Sequence, residues 1–199
     1  MKPVIVIDPG HGDSPAPQYR GRGYDPGVVD PAAEPDRHEA VAALEISLTF
    51  KERLEADGWD VILTRDGTGP RKPDLYWRTH MAVGKNALAF VSVHYNSVGA
   101  PGLVYYPTGN WVSLNFAKRL AREVSVRQTT PSSESRFGGL YIDHFPYASR
   151  ERWGRQRPAV MLEVSSIRAA PPAGAPGQSA RITVAEGVVR ACRTLKPTT

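Results

Sequence analysis

With Cys192 as its one cysteine, this 199-residue chain can close no internal disulfide and build no cysteine-rich metal cluster. Long apolar runs are missing too: no stretch approaches the ~20 residues that a membrane-spanning helix requires. The first strand-like segment starts almost at once, at Met1-Lys2-Pro3-Val4, with no basic leader, apolar region and cleavage site before it. Synthesis in the cytoplasm without an ordinary secretory signal is therefore expected. Charge of one sign is in short supply as well. Lys and Arg number 25 against 20 Asp and Glu, a formal +5, which suits a polyanionic setting. Four of the arginines fall close together, at Arg150, Arg152, Arg155 and Arg157. No zinc finger, basic zipper or RNA-binding motif accompanies them, so no nucleic-acid partner is expected. Internal repeats are absent.

What the chain does have is an apolar, β-branched run that stops at a turn bearing a histidine. Val4-Ile5-Val6-Ile7 reads as a buried strand, and Asp8-Pro9-Gly10-His11-Gly12 ends it, Pro fixing φ and Gly accepting angles other residues resist. A side chain at the carboxyl end of a core strand is rigidly held yet faces the crevice where α/β proteins place ligands. The design recurs. Ala87 to Val93 is a second apolar run ending in His94, followed by Tyr95-Asn96-Ser97. A third run, Pro158-Ala159-Val160-Met161-Leu162-Glu163-Val164, is interrupted by a carboxylate whose unpaired burial would be costly. Glu163 is thus expected to face a polar cleft, a cation or a reacting group.

Between these lies an alternation of helices and short strands. A Gly/Pro-rich stretch from Asp13 to Asp36 precedes a helix expected over Arg37–Asp57, with Val41, Leu44, Leu48 and Leu54 on its apolar face and Gly58 as its stop. Strands are expected at Trp59–Thr64, Gly102–Tyr106 and Gly138–Ile142, and helices at Leu75–Asn86, Trp111–Val126 and Ala180–Leu195. Cys192 falls on the apolar face of the last helix and is read as core. The Ala/Pro/Gly run Ala169–Gly177 has linker composition, but only about one helix follows it. The reading is a single α/β domain over residues 1–199, with a twisted, mostly parallel or mixed sheet of about six strands flanked by helices on both faces.

Two histidines on one sheet edge suit a borderline metal such as zinc, which in hydrolytic sites commonly takes three protein ligands and keeps a fourth position for water. The third ligand comes from the start of the helix near Arg37. Glu39 and His38 both qualify; consecutive helical residues diverge by ~100°, so only one can face the site.

Taken together, these segments resemble the zinc-dependent N-acetylmuramoyl-L-alanine amidases, cell-wall hydrolases of bacteria and phage endolysins. The resemblance runs through Asp8-Pro9-Gly10-His11-Gly12 and Glu39 opening a long helix. It continues through Asp57-Gly58 to Thr64-Arg65, Leu75-Tyr76-Trp77-Arg78 with Asn86, Ser92-Val93-His94-Tyr95-Asn96, and Pro158-Ala159-Val160-Met161-Leu162-Glu163. It implies one Zn2+ ion on His11, Glu39 and His94, and Glu163 as the catalytic carboxylate. The implied reaction is hydrolysis of the amide between N-acetylmuramic acid and L-alanine in peptidoglycan. Asn96 and His144 are candidate substrate contacts. Arg65 and Arg78 are read as anchors of loops or carboxylates rather than substrate contacts. His80 is read as a surface residue. Two departures stand out: Asp25-Pro26-Gly27-Val28-Val29 looks like the family's usual continuation displaced downstream, and Val164-Ser165-Ser166-Ile167-Arg168 replaces its usual segment after the glutamate. The expected role is that of a monomeric bacteriolytic, antimicrobial enzyme of endolysin type. It would act on the wall after release, with no separate wall-binding domain, its basic charge meeting anionic wall polymers. Competing readings are a zinc peptidase or deacetylase acting on another wall amide, and a catalytically dead wall-binding module.

Overall fold

The β-branched run at the start of the chain forms strand β1 (Val4–Pro9), buried from Ile5 onward. The computed structural model describes residues 1–12, 25–33, 37–67, 74–135, 140–143 and 156–196, and within it β1 belongs to a six-stranded sheet. Its neighbours β4 (Asp60–Leu63) and β5 (Ala89–Asn96) both run parallel to it. Next to β5 lies β8 (Ala159–Ser166), also parallel. Antiparallel to β8 comes β6 (Leu103–Tyr106), and β7 (Gln128–Pro131), parallel to β6, closes that edge. A separate two-residue pairing joins β2 (Val29–Asp30) to β3 (Arg37–His38). The sheet is mixed and mostly parallel, as the alternation of elements predicts.

Period-two alternation divides the strands between two apolar layers. Ile5, Ile7, Val91, Val93, Val160 and Leu162 pack beneath three helices: α1 (Glu39–Ala56), α3 (Trp111–Glu123) and α4 (Gln178–Arg193). Val6, Phe90 and Met161 face the other way, onto α2 (Leu75–Gly84) and a 3-10 turn at Tyr141–Asp143. Cys192 is fully buried on α4, and burial pushes its thiol far above the ordinary value. It is a core residue.

Two expectations need correction. Helix α1 starts at Glu39 rather than Arg37, because Arg37 and His38 are drawn into pairing with Asp30 and Val29. Its buried stripe is also different. Glu39, Ala43, Ile46, Phe50 and Leu54 are buried, whereas Val41 and Leu48 are 48% and 43% exposed. Residues at these spacings share one face, and Ala42 and Ala43 on it let the helix lie close between the sheet and α4. The expected strand at Gly138–Ile142 is not formed by its described part, since Tyr141–Asp143 is a 3-10 turn. The sixth strand is instead Gln128–Pro131, a polar segment at the sheet edge with one residue buried. Residues paired on one side only need no apolar alternation, so the pattern that announces a core strand is missing there.

Candidate metal centre

The sheet's carboxyl edge gathers the chemistry. Strand β1 ends in Asp8-Pro9 and delivers His11, β5 delivers His94, and α1 begins with Glu39 over the ends of both. One donor atom from each of His11, Glu39 and His94 lies within 4.8 Å of the other two. His11 Nε2 is 3.1 Å from Glu39 Oε2, and His94 Nδ1 is 2.8 Å from Glu39 Oε1. The imidazoles meet edge to face with centroids 4.9 Å apart. His38 is not part of this group.

Each of the three side chains is held in place. Glu39 accepts Val28 N–H at Oε2 (2.8 Å) and Tyr95 N–H at Oε1 (3.1 Å). The same loop caps the helix: Glu39 and Ala40 donate their N–H groups to the carbonyls of Val28 and Pro26 at 2.9 and 3.0 Å. The negative side chain in the first turn also suits the helix dipole. His11 turns its Nδ1 to the Asp25 carboxylate at 3.1 Å, which leaves Nε2 facing Glu39. A carboxylate behind the far nitrogen of a histidine is the usual outer support of a metal ligand. His94 stands where the β5–β8 register shifts, between His94 and Asn96, and such irregularities re-aim side chains beside functional sites.

Electrostatics favours an anionic Glu39. Burial works against its charge, but hydrogen bonds from His11 and His94 outweigh it and hold the carboxyl well below the usual range. Burial likewise presses His94 toward neutrality. Glu39 as acceptor, together with the charges of Glu39 and Glu163, overrides this and raises its pKa. Buried His94 Nε2 has no hydrogen-bond partner among the described residues. Two imidazoles and a carboxylate gathered this closely, His11 backed at Nδ1 by an outer carboxylate and His94 keeping its Nε2 unpartnered among the described residues, fit a divalent ion of zinc's preferences.

Glu163 pairs in register with His94 across β5 and β8, so both side chains project from the same face of adjacent strands. It is half-buried. Asn96 uses its amide on its own turn: Nδ2 donates to Pro101 O at 3.2 Å, and Oδ1 accepts Ser97 N–H at 2.8 Å. His80 packs against Tyr76 with ring centroids 3.8 Å apart and the planes tilted by 53°, on the outer side of α2. His144, Arg150, Arg152 and Arg155 lie outside the described residues. Arg157 is engaged by the fold, donating to the carbonyls of Asn86 and, at 2.7 Å, Ala87.

Beneath the turn lies a polar cluster that the sequence pattern did not announce. Asp8 is fully buried and accepts from Arg78 Nη1 (2.7 Å), Thr64 Oγ1 (2.5 Å), Ser92 Oγ (2.9 Å) and the Tyr141 hydroxyl. Its position, a carboxylate ending an apolar strand, is the same signal that singled out Glu163. Burial would raise the Asp8 carboxyl, but the Arg78 charge and these donors lower it below its ordinary 3.8. A lowered folded-state value means stabilisation that is complete above the unfolded pKa and lost as pH falls through the folded one. Asp8→Asn should cost about 3–5 kcal/mol at pH 7, because it strands a buried guanidinium. Urea denaturation at descending pH should show the gap between wild type and variant constant above about pH 4 and narrowing below it. A gap that is independent of pH would show that folding does not lower the Asp8 pKa.

An α/β sheet with a His–Glu–His donor set at its carboxyl edge defines a class: a protein with a possible divalent-cation site beside a strand that carries a carboxylate. The chain belongs to the N-acetylmuramoyl-L-alanine amidase family (Amidase_3), which matches residues 5–169. It is 32% identical over 104 residues to N-acetylmuramoyl-L-alanine amidase AmiC of Neisseria meningitidis, a match covering 50% of this chain and 20% of that protein. The chain thus spans about a fifth of the length of that relative. Its fold is shared with AmiC2 of Nostoc punctiforme (TM-score 0.69, 23% identity, 98% of this chain and 97% of the other). It is also shared with the catalytic domain of CwlV from Bacillus (Paenibacillus) polymyxa var. colistinus (TM-score 0.67, 23% identity, 98% of each chain).

Proposed function

We propose that this chain is a zinc-dependent amidase that hydrolyses the bond between N-acetylmuramic acid and L-alanine in peptidoglycan. The observation that carries the reading is the meeting of His11, Glu39 and His94, with Glu163 in register beside His94, in a member of this family. A zinc ion held by those three side chains would supply an acidified water and a polarised substrate carbonyl. The protein's own part begins with Glu39, which the N–H groups of Val28 and Tyr95 keep fixed and anionic. Asp25 sets the ring of His11. Glu163 then takes a proton from the attacking water at its carboxylate and returns it to the departing amine of L-alanine, acting as base and acid in turn. Asn96, at the end of β5 two residues beyond His94, would line the rim.

The biological setting we infer is bacteriolytic, with the enzyme acting on the wall after release, as a phage endolysin does. The formal charge of +5 supports association with an anionic wall. Digestion of purified peptidoglycan tests the chemistry. New amino termini should all be L-alanine, new reducing sugars should not appear, and a chelator should stop the reaction until zinc is returned. Release of acetate, or amino termini from within the stem peptide, would move the assignment to a deacetylase or peptidase.

A further inference from the structure

Three successive carbonyl oxygens of the turn that carries His11 are each held by a guanidinium. Arg65 donates Nε to Pro9 O at 3.0 Å and Nη2 to Gly10 O at 2.6 Å. Arg78 donates Nη1 to Pro9 O at 2.8 Å and Nη2 to His11 O at 2.5 Å. Both arginines are buried. His11 has φ +62°, a left-handed conformation that a side-chain-bearing residue adopts only where its surroundings dictate it. One further bond gives Arg65 a second role. The same Nη2 reaches Ala40 O at 2.7 Å, the carbonyl of the residue after Glu39.

We propose that Arg65 is a positioning residue of the metal centre, registering the His11 turn against the first turn of α1 so that His11 and Glu39 keep the spacing a cation needs. Arg78 fixes the shape of the turn, and Arg65 sets its distance from Glu39. This rests on the reading that His11, Glu39 and His94 hold a divalent ion. Two guanidinium charges near a cation site give no electrostatic advantage. Their benefit is geometric, which explains why arginine is needed: a planar fork can span carbonyls on two elements, whereas a lysine ammonium is a single point.

The opposed electrostatic and geometric effects make the test decisive. Zinc affinity of the full chain is measured by chelator competition, with cobalt(II) absorption reporting ligand geometry. Arg65→Lys keeps the charge and Arg65→Gln removes it. Both should weaken zinc binding about 10–100-fold and alter the cobalt spectrum, with helix content retained. Leu120→Ala, a core truncation on α3 that destabilises without touching the centre, should leave affinity within about twofold. Unchanged affinity in Arg65→Lys, tighter binding in Arg65→Gln, or an equal loss in Leu120→Ala would overturn the proposal; if one Arg65 variant fails to fold, the other decides. A wild-type chain that takes up neither zinc nor cobalt removes the metal reading itself, a failure distinguishable because it precedes any variant.

Discussion

Replacing Glu163 with glutamine is expected to lower turnover on peptidoglycan by about 10^2–10^4-fold, the usual contribution of a positioned proton-transfer group, while zinc content stays at the wild-type level. The two side chains are the same size, so the half-buried position on β8 is filled as before. What glutamine lacks is a basic oxygen. Glu163 stands in register with His94, one strand over, and is not one of the donors in the His11, Glu39 and His94 set, so its replacement leaves that set complete. Its negative charge helps to raise the pKa of His94, so zinc uptake in the variant should need slightly less alkaline conditions, not more. The measurement pairs the rate of L-alanine amine release with metal content by atomic absorption. Activity within tenfold of wild type would take the acid-base role from Glu163; loss of zinc would make it a ligand or ligand support.

How much of this was legible in the residues follows from what each signal measures. Strands β1, β5 and β8 are read easily because buried parallel strands are nearly continuous apolar runs, and a polar residue ending such a run stands out. His11, His94 and Glu163 were visible for that reason. Glu39 was harder. Its helix carries enough apolar residues on more than one stripe that Val41, Leu44 and Leu48 suggested the wrong buried face; the true face is the one that points Glu39 at the strand ends. A short side chain such as Ala42 or Ala43 scores weakly as core, yet it is what allows close approach. β7 escaped detection because its contribution is backbone pairing at an edge, to which Gln128 and Thr129 are no obstacle.

The supports of the centre were still less legible, since none has a pattern. Val28 N–H and Tyr95 N–H hold a carboxylate 11 and 56 residues away along the chain, and Ser92 reaches Asp8 across 84. The family continuation displaced to Asp25-Pro26-Gly27-Val28 was the one available hint, and it marks the loop that caps α1 and supports His11 together. Arg168, in the segment that replaces the family's usual sequence after Glu163, has a comparable structural use. Its Nε and Nη2 meet the two carboxylate oxygens of Asp30 at 3.0 Å each, tying the exit of β8 to the hairpin that leads into Glu39. The departure in sequence therefore brings its own brace.

Gly27→Ala is the second large effect expected, and it arises from one missing carbon. Gly27 has φ +65°, and a β-carbon there would stand 2.5 Å from His11 Cδ2, 2.6 Å from Glu39 Oε2 and 2.7 Å from His11 Nε2. Two penalties coincide. Alanine resists the left-handed backbone by roughly 1–2 kcal/mol, and the methyl occupies space that two of the three donor side chains need. Relaxing the backbone instead would pull Val28 N–H away from Glu39 Oε2, because the two residues are adjacent. Either way the donors part. Zinc affinity should fall by about 100-fold or more, beyond the usual effect of disturbing a ligand's support alone. The sheet, whose core lies below the turn, should remain folded with a thermal midpoint only a few degrees lower. Isothermal titration with zinc alongside circular dichroism separates these outcomes. An alanine variant that binds zinc as tightly as wild type would mean that His11 and Glu39 do not meet at this loop, and the three-residue centre would have to be redrawn.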